Sequence, residues 1–444
     1  MSGLNKQQLK ASGPERGVHL VIAGAGTGKT VTLVQKVRSV IADGTTPEAV
    51  LVLTFSRKAA EELKERLQGT DGVKLNVTTG TFHSYALSVL RRFAAPFTKS
   101  FGFAEFPQVI DENAQEELIG ALIKERRKEF LGMPDATVRR SLYKGSWSKE
   151  DLRKLQVTGI GKAFEELKAA YVKAKTERNL IDFDDIMNFC AELLEKEPAL
   201  LNQLQSELDY ILVDEYQDTS DDNFRLLWLL TNKGQKNLFV VGDDWQSIYG
   251  FRNAKVEYII NMKAYFPNVV THKLTINYRS RAEIVSLSNK FIKGNKKRTR
   301  KKLVSFKGKG GVVKHFGVAS NEAEFQLIDE LVRQNSGEIA ILYRNNWQGE
   351  RIAKHVPAIK GEDRVRLLTM HGSKGLEFDT VIIAGVKDGI VPDRATPVDE
   401  ERRLFYVALS RARERLYIIA STDGNDKQPK FSKELAAPLR RRAF

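Results

Sequence analysis

The chain has 444 residues, with 71 Lys and Arg against 56 Asp and Glu, six His and one Cys. Its length exceeds one ordinary hydrophobic core, so two or more domains are expected, and a formal net charge of +15 suits a polyanionic partner. One cysteine excludes an internal disulfide, the histidines lack zinc-site spacing, and no apolar stretch follows Met1 or approaches about 18 residues, so neither secretion nor membrane insertion is indicated and a cytoplasmic location is expected.

In chain order, the first predicted element is a strand over Val18-His19-Leu20-Val21-Ile22. It runs into AGAGTGKT, Ala23 to Thr30, and then into Val31 to Ile41, whose apolar residues recur at helical spacing. Small residues Gly24, Ala25, Gly26 and Gly28, with Thr27 among them, let consecutive N–H groups turn toward an anion at a helix N-terminus. Lys29 is then placed to reach the β- and γ-phosphates of ATP, and the Thr30 hydroxyl to coordinate Mg²⁺. Ala23 stands where the strict pattern has Gly; a small residue fits the same turn.

Residues 91–180 read as helix-rich. Asp182, Asp184 and Asp185 precede Ile186-Met187 and fit a helix start better than a metal site, and Cys190 fits a small apolar position rather than a reactive thiol. Tyr210-Ile211-Leu212-Val213 predicts a buried strand ending in Asp214 and Glu215, and Leu238 to Val241 predicts another ending in Gly242-Asp243-Asp244. Ligands of parallel sheets bind at such strand ends. Asp214 is suited to hold Mg²⁺ and Glu215 to act as general base. The densest basic run, Lys293 to Lys302 with Lys296, Lys297, Arg298, Arg300 and Lys301, leans toward a phosphate track over a solvated loop, and Arg440, Arg441 and Arg442 read as a frayed basic tail.

With DEYQDT at Asp214 to Thr219, GDDWQSIYGFR at Gly242 to Arg252, NYRS at Asn277 to Ser280, LLTMHGSKGLEFDTVII at Leu367 to Ile383 and EERRLFYVALSRARERLYI at Glu400 to Ile418, the chain resembles a UvrD/Rep-type superfamily 1 DNA helicase over most of its length. LNKQQ at Leu4 to Gln8, VLTFSRKAAEELKERL at Val52 to Leu67 and TGTFHS at Thr79 to Ser84 resemble further motifs of that family. The resemblance implies an α/β P-loop NTPase with two RecA-like parallel-sheet lobes and a helical insertion called 1B. It implies Gln8 as adenine reader, Tyr278 stacking on adenine, Glu377 on the ribose, Arg279 and Arg411 on the γ-phosphate, and Gln246 linking γ-phosphate to the DNA track. It implies Phe55, Tyr249 and Phe251, flanked by Arg57, Arg252 and His83, as contacts to single-stranded DNA or its duplex junctions, with 3′ to 5′ movement driven by lobe closure around ATP.

Departures are visible too. Trp245 replaces a usual third acid before Gln246, Arg57 replaces Asn, Gly372-Ser373 replace Lys-Ala, and Val31 replaces Arg. Residues 1–90 and 181–270 are expected to form lobe 1A, 91–180 the 1B insertion and 271–444 lobe 2A. Only residues 344–363 fill the place of the 2B subdomain, as a loop or one short helix, and the short polar stretch Ser421 to Lys430 leaves little room for a strand-splitting hairpin. Unwinding is therefore less assured than translocation, so the readings are a helicase, a translocase that strips proteins from single strands, or a non-cycling nucleotide-gated DNA clamp. RNA as the track stays open.

Overall fold

The computed structural model describes residues 3–68, 75–130, 138, 160–421, 428–435 and 439–441. The expected hairpin-free stretch after Ser421 lies largely outside the described residues. Sixteen strands are found among the described ones. They are β1 (Val18–Ala23), β2 (Val50–Thr54), β3 (Thr78–Thr81), β4 (Gln108–Val109), β5 (Leu180–Ile181), β6 (Tyr210–Val213), β7 (Asn237–Gly242) and β8 (Val270–Leu274). The second series is β9 (Ile276–Asn277), β10 (Val304–Ser305), β11 (Val312–Val318), β12 (Ile339–Tyr343), β13 (Val365–Thr369), β14 (Phe378–Val386), β15 (Ala412–Ser421) and β16 (Leu439–Arg441).

Two six-stranded sheets result, in the orders β3-β2-β6-β7-β1-β8 and β13-β12-β14-β15-β11-β16. The described pairings within them are parallel. Parallel strands need crossovers that cover both sheet faces, which is why β1, β2, β6 and β7 are mainly apolar and buried along their whole length. The first core joins Val21, Val52, Leu212 and Phe239 to Leu33 and Val37 of the helix Lys29–Ala42. Each such side chain contributes roughly 1.5 to 3 kcal/mol by leaving water. In the second sheet Leu342, Ile383 and Leu416 pack on Leu404 and Val407 of the helix Val398–Leu409, while Ile341, Ile382 and Ile419 pack on Leu327 and Leu331 of Asn321–Gln334 on the opposite face. These are the two RecA-like lobes.

By contact density the chain divides into one unit of residues 1–79, 208–220 and 234–444, which holds both lobes, and a second of 80–207 and 221–233. In the second unit the helix Phe183–Lys196 packs on Phe82–Arg92 and on Asp221–Leu230. The helix start read at Asp182 is present: its carboxylate caps Asp185 N–H, and Lys175 pairs with Asp182 at 2.6 Å and with Asp185 at 2.5 Å. Cys190 is buried in that helix and burial pushes its thiol up to about 12, which leaves it unreactive near neutrality.

Two structural details differ from the expectations. The basic segment at Arg440 is not a frayed tail, because Leu439–Arg441 adds a parallel strand to β11. The first sheet takes in β8, which continues to Leu274 and pairs with β1. Between β12 and β13 stand the helix Asn346–His355 and a turn at Pro357–Ile359. No described helix is long and apolar enough to cross a membrane.

Candidate nucleotide and nucleic-acid site

The phosphate loop leaves the carboxyl end of β1. Ala23 is the last residue of that strand and keeps ordinary backbone geometry, so Gly is not required there. Left-handed geometry falls on Gly26 (φ 65°) and Gly28 (φ 82°), the latter capping the helix that Lys29 opens. A Cβ on Gly28 would stand 2.5 Å from Gln8 Nε2, and one on Gly26 would stand 2.7 Å from Arg279 Cβ, so the cradle has no room for larger residues. Gln8 donates from Nε2 to the Thr27 carbonyl at 3.1 Å, and its Oε1 accepts from Asn5 N–H.

Strand β6 delivers the acids to the same place. Thr30 Oγ1 donates to Asp214 Oδ2 at 3.3 Å, and Lys29 Nζ lies 3.6 Å from Glu215 Oε1. Glu215 adopts φ 51°, a left-handed conformation that costs a non-glycine residue roughly 1 to 2 kcal/mol. It is held there by its own N–H on Asp214 Oδ1 (2.8 Å) and by Gln217 Nε2 on its Oε2 (2.5 Å). Burial and the neighbouring Glu215 push Asp214 up to about 7. Burial alone would raise Glu215 as well, but Lys29 and then Lys374 hold it near 2, so it stays ionised.

From the second sheet, Arg411 precedes β15 and is buried. Its Nη2 donates to Gln246 Oε1 at 2.9 Å, its Nε to the Val407 carbonyl at 2.9 Å and its Nη1 to the Leu376 carbonyl at 3.2 Å. Burial and the adjacent Arg279 push its guanidinium down to about 9, still charged near neutrality. Arg279 pairs with Glu377 at 2.6 Å and donates to the Ser410 carbonyl, so Glu377 is engaged by arginine. Tyr278 N–H donates to the Gly26 carbonyl, its hydroxyl accepts from Asn5 Nδ2 at 2.7 Å, and its ring lies 4.9 Å from exposed Phe306.

Gln246 is one of the points at which the lobes meet, beside Tyr278 on Gly26 and Lys374 on Asp218. Its Nε2 donates to Asp243 Oδ2 at 2.6 Å while Arg411 holds its Oε1. Asp243 N–H in turn donates to Gln217 Oε1 at 2.8 Å, closing a chain Glu215–Gln217–Asp243–Gln246–Arg411. The counter-ion of this chain is Lys301, wholly buried, 2.7 Å from Asp243 and 2.6 Å from Asp244. Lys301 is thus no part of a phosphate track, whereas Lys296 and Lys297 of the same run are exposed. Trp245, standing in place of the usual acid, lies edge-on to Tyr406, donates to the Thr299 carbonyl at 3.2 Å and carries Lys301 Nζ 4.4 Å above its ring.

The aromatics expected on the nucleic acid gather in part. Tyr249 and Phe251 sit 5.9 Å apart, Arg252 lies over both rings at 5.6 and 5.7 Å, and Phe251 is 64% exposed. Lys374 joins this group to the nucleotide side: its Nζ is 4.5 Å over Tyr249, 2.5 Å from Asp218 and 3.2 Å from the Gln246 carbonyl. Phe55 and Arg57 follow β2 in the first lobe, and His83 lies in the second unit, edge-on to Phe183.

His371 also packs edge-on to Phe251, at 5.6 Å. Burial, then Arg344, Lys374 and Arg252, push its imidazole down to about 4. The unfolded chain takes up this proton near pH 6.5 and the folded chain only near 4, so the stability His371 contributes is complete above about pH 6.5 and is lost as pH falls toward 4. Urea unfolding is expected to show a larger acid-induced loss in the wild type than in His371→Gln between about pH 7 and about pH 5. Equal losses would mean that the ring titrates in the folded chain as it does in the unfolded one.

Gln217, Lys374, His371 and Phe306 were not singled out by sequence reasoning, and Lys301 was read only as a member of a basic run. Gln217 lies inside the quoted DEYQDT, and His371 and Lys374 inside the quoted LLTMHGSKGLEFDTVII, the signals that could have found them.

Residues 4–267 match the UvrD/REP helicase N-terminal domain, and residues 272–359 and 353–423 match the UvrD-like helicase C-terminal domain. The chain is 32% identical over 369 residues to the ATP-dependent DNA helicase PcrA of Leuconostoc citreum, covering 79% of this chain and 48% of that protein. It is 35% identical over 367 residues to a probable DNA helicase II homolog of Mycoplasma capricolum subsp. capricolum, covering 78% and 50% respectively. The chain spans about half the length of the curated relatives it matches. With both matched domains falling on the two lobes that meet at Gln246, the chain belongs to the UvrD/REP helicase family.

Proposed function

We propose that the chain is an ATP-driven motor of PcrA/UvrD type that moves along single-stranded DNA. The observation that carries this reading is the hydrogen-bonded chain from Glu215 on the first lobe to Arg411 on the second. The glycine cradle, Lys29 and the Thr30–Asp214 contact fit a Mg²⁺-bound nucleotide: the loop amides and Lys29 would hold phosphate oxygens, and Thr30 and Asp214 the ion. Bound there, Mg²⁺ supplies neutralisation of the charge that develops during phosphoryl transfer. Glu215, kept ionised by its lysines, accepts the proton of the attacking water, and Arg279 and Arg411 stabilise charge on the phosphoryl oxygens. Because those arginines and Lys29 come from different sheets, turnover depends on lobe closure, and Gln246 with Lys374 passes that closure to Tyr249 on the strand-binding face. Movement 3′ to 5′ follows from family resemblance.

A second reading, translocation that strips bound proteins without unwinding, is favoured by the single helix and turn between β12 and β13, where longer relatives insert a subdomain. ATP hydrolysis at fixed low salt, with single-stranded DNA, duplex DNA or single-stranded RNA, tests the motor. Strong stimulation by single-stranded DNA alone is expected; tight binding without stimulated hydrolysis would replace the motor with a clamp. Translocation with no strand displacement would select the second reading.

A further inference from the structure

The second lobe has two edges, and the nucleotide-facing residues use only one. Glu377 precedes β14 and Arg411 precedes β15, so both stand at the amino edge. At the carboxyl edge, beside the ends of β11, β14 and β15, lies a pocket of about 470 Å³. Its rim includes Trp347 and Gln348, which follow β12, the neighbour of β13. His371, which touches Phe251, follows β13, so this pocket and the aromatic cluster occupy one continuous sheet edge.

The pocket's chemistry is specific. Trp347 is 45% exposed, and Phe325, stacked on His355 at 5.0 Å, lines the wall. Two buried polar groups converge on Gly385: Glu324 Oε1 accepts from Gly385 N–H at 2.5 Å, and Gln348 Nε2 lies 2.1 Å from where a Gly385 Cβ would stand. Gln348 Oε1 is occupied by the Arg344 and Asn345 N–H groups, so a contact from Gln348 to a pocket ligand would be donated by its amide N–H₂. Arg351 and Lys387 supply positive charge at the rim, while Glu322 disfavours a phosphate inside.

We propose that this pocket takes a nucleobase, guanine by preference, from the strand that crosses Tyr249 and Phe251; the inference rests on the single-strand reading above. An acidic acceptor beside an amide donor matches the edge on which guanine presents N1–H and N2–H₂ next to O6. Thymine would set a carbonyl against the carboxylate, and adenine and cytosine offer it a single donor group. Stacking on Trp347 supplies the sequence-tolerant part of the affinity, and the carboxylate contact supplies the preference.

The test is fluorescence anisotropy at fixed salt with a labelled oligo-dT strand and with strands carrying one dG at successive positions. A dG at one position is expected to tighten binding about fivefold or more. Glu324→Gln keeps the side chain's shape and removes its charge; read at about pH 8, above the value of about 7 to which burial pushes the wild-type carboxyl, the preference is expected to vanish while oligo-dT affinity is kept. Trp347→Ala is expected to weaken the dG strand more than oligo-dT. Free dGMP distinguishes the source: competition by dGMP without any dG preference in a strand would overturn the strand assignment. Oligo-dT binding with neither a dG preference nor competition by dGMP would overturn the pocket and leave the track reading standing. If oligo-dT does not bind at all, the track reading fails and this inference fails with it.

Discussion

Replacing Glu215 with glutamine is expected to lower DNA-stimulated ATP turnover by about 10² to 10⁴ fold, and replacing Arg411 with alanine by about 10³ to 10⁵ fold. The first change keeps the shape of the side chain and its partner Gln217 but removes the negative charge that Lys29 and Lys374 hold ionised. The second removes the guanidinium that reaches Gln246 from the other lobe. Lys29→Ala should match the Glu215 variant in lost turnover. Steady-state hydrolysis, read beside urea unfolding of each variant, separates lost chemistry from lost fold. Turnover undiminished in Glu215→Gln would remove that residue from the chemistry, and a drop confined to KM would reassign Arg411 to ground-state binding.

Lys301→Met is expected to destabilise the chain by about 3 to 5 kcal/mol, because it removes the buried cation that pairs directly with both Asp243 and Asp244. The effect on turnover should follow, since Asp243 is what turns Gln246 toward Arg411. Lys296→Ala and Lys297→Ala, exposed members of the same basic run, should stay within about 0.5 kcal/mol of the wild type. Adding Asp244→Asn to Lys301→Met should recover part of the loss, and the double-mutant cycle gives the coupling directly. A Lys301→Met protein as stable as Lys296→Ala would show that the aspartates find their compensation elsewhere.

These two cases mark where sequence reasoning holds and where it stops. The phosphate loop and the acids at Asp214 and Glu215 were legible because a buried parallel strand is an unbroken apolar run, and its abrupt end in glycine or acid marks the sheet edge. The helix start at Asp182 was legible for a similarly local reason, a carboxylate three residues before the N–H it caps. Nothing local, however, distinguishes Lys301 from Lys297 in a run of cations. What separates them is a pair of aspartates more than fifty residues earlier in the chain. Trp245 could be seen as a departure but not explained, since its partners Tyr406, Thr299 and Lys301 come from remote segments. The strand at Leu439 was hidden because three residues carry no periodicity, and only the open side of β11 makes them a strand.

That last strand bears on how the protein behaves in a crowded solution. Without it, β11 would present a seven-residue row of unpaired N–H and C=O groups, a template on which another extended chain could assemble. With it, His315, Phe316 and Gly317 of that row are paired, and the edge becomes a three-residue strand, Leu439–Arg441, whose shortness disfavours recruitment of a further copy. The segment at Arg440 that reads in sequence as a frayed basic tail is thus the edge of the second sheet, and it shortens the backbone row left open there.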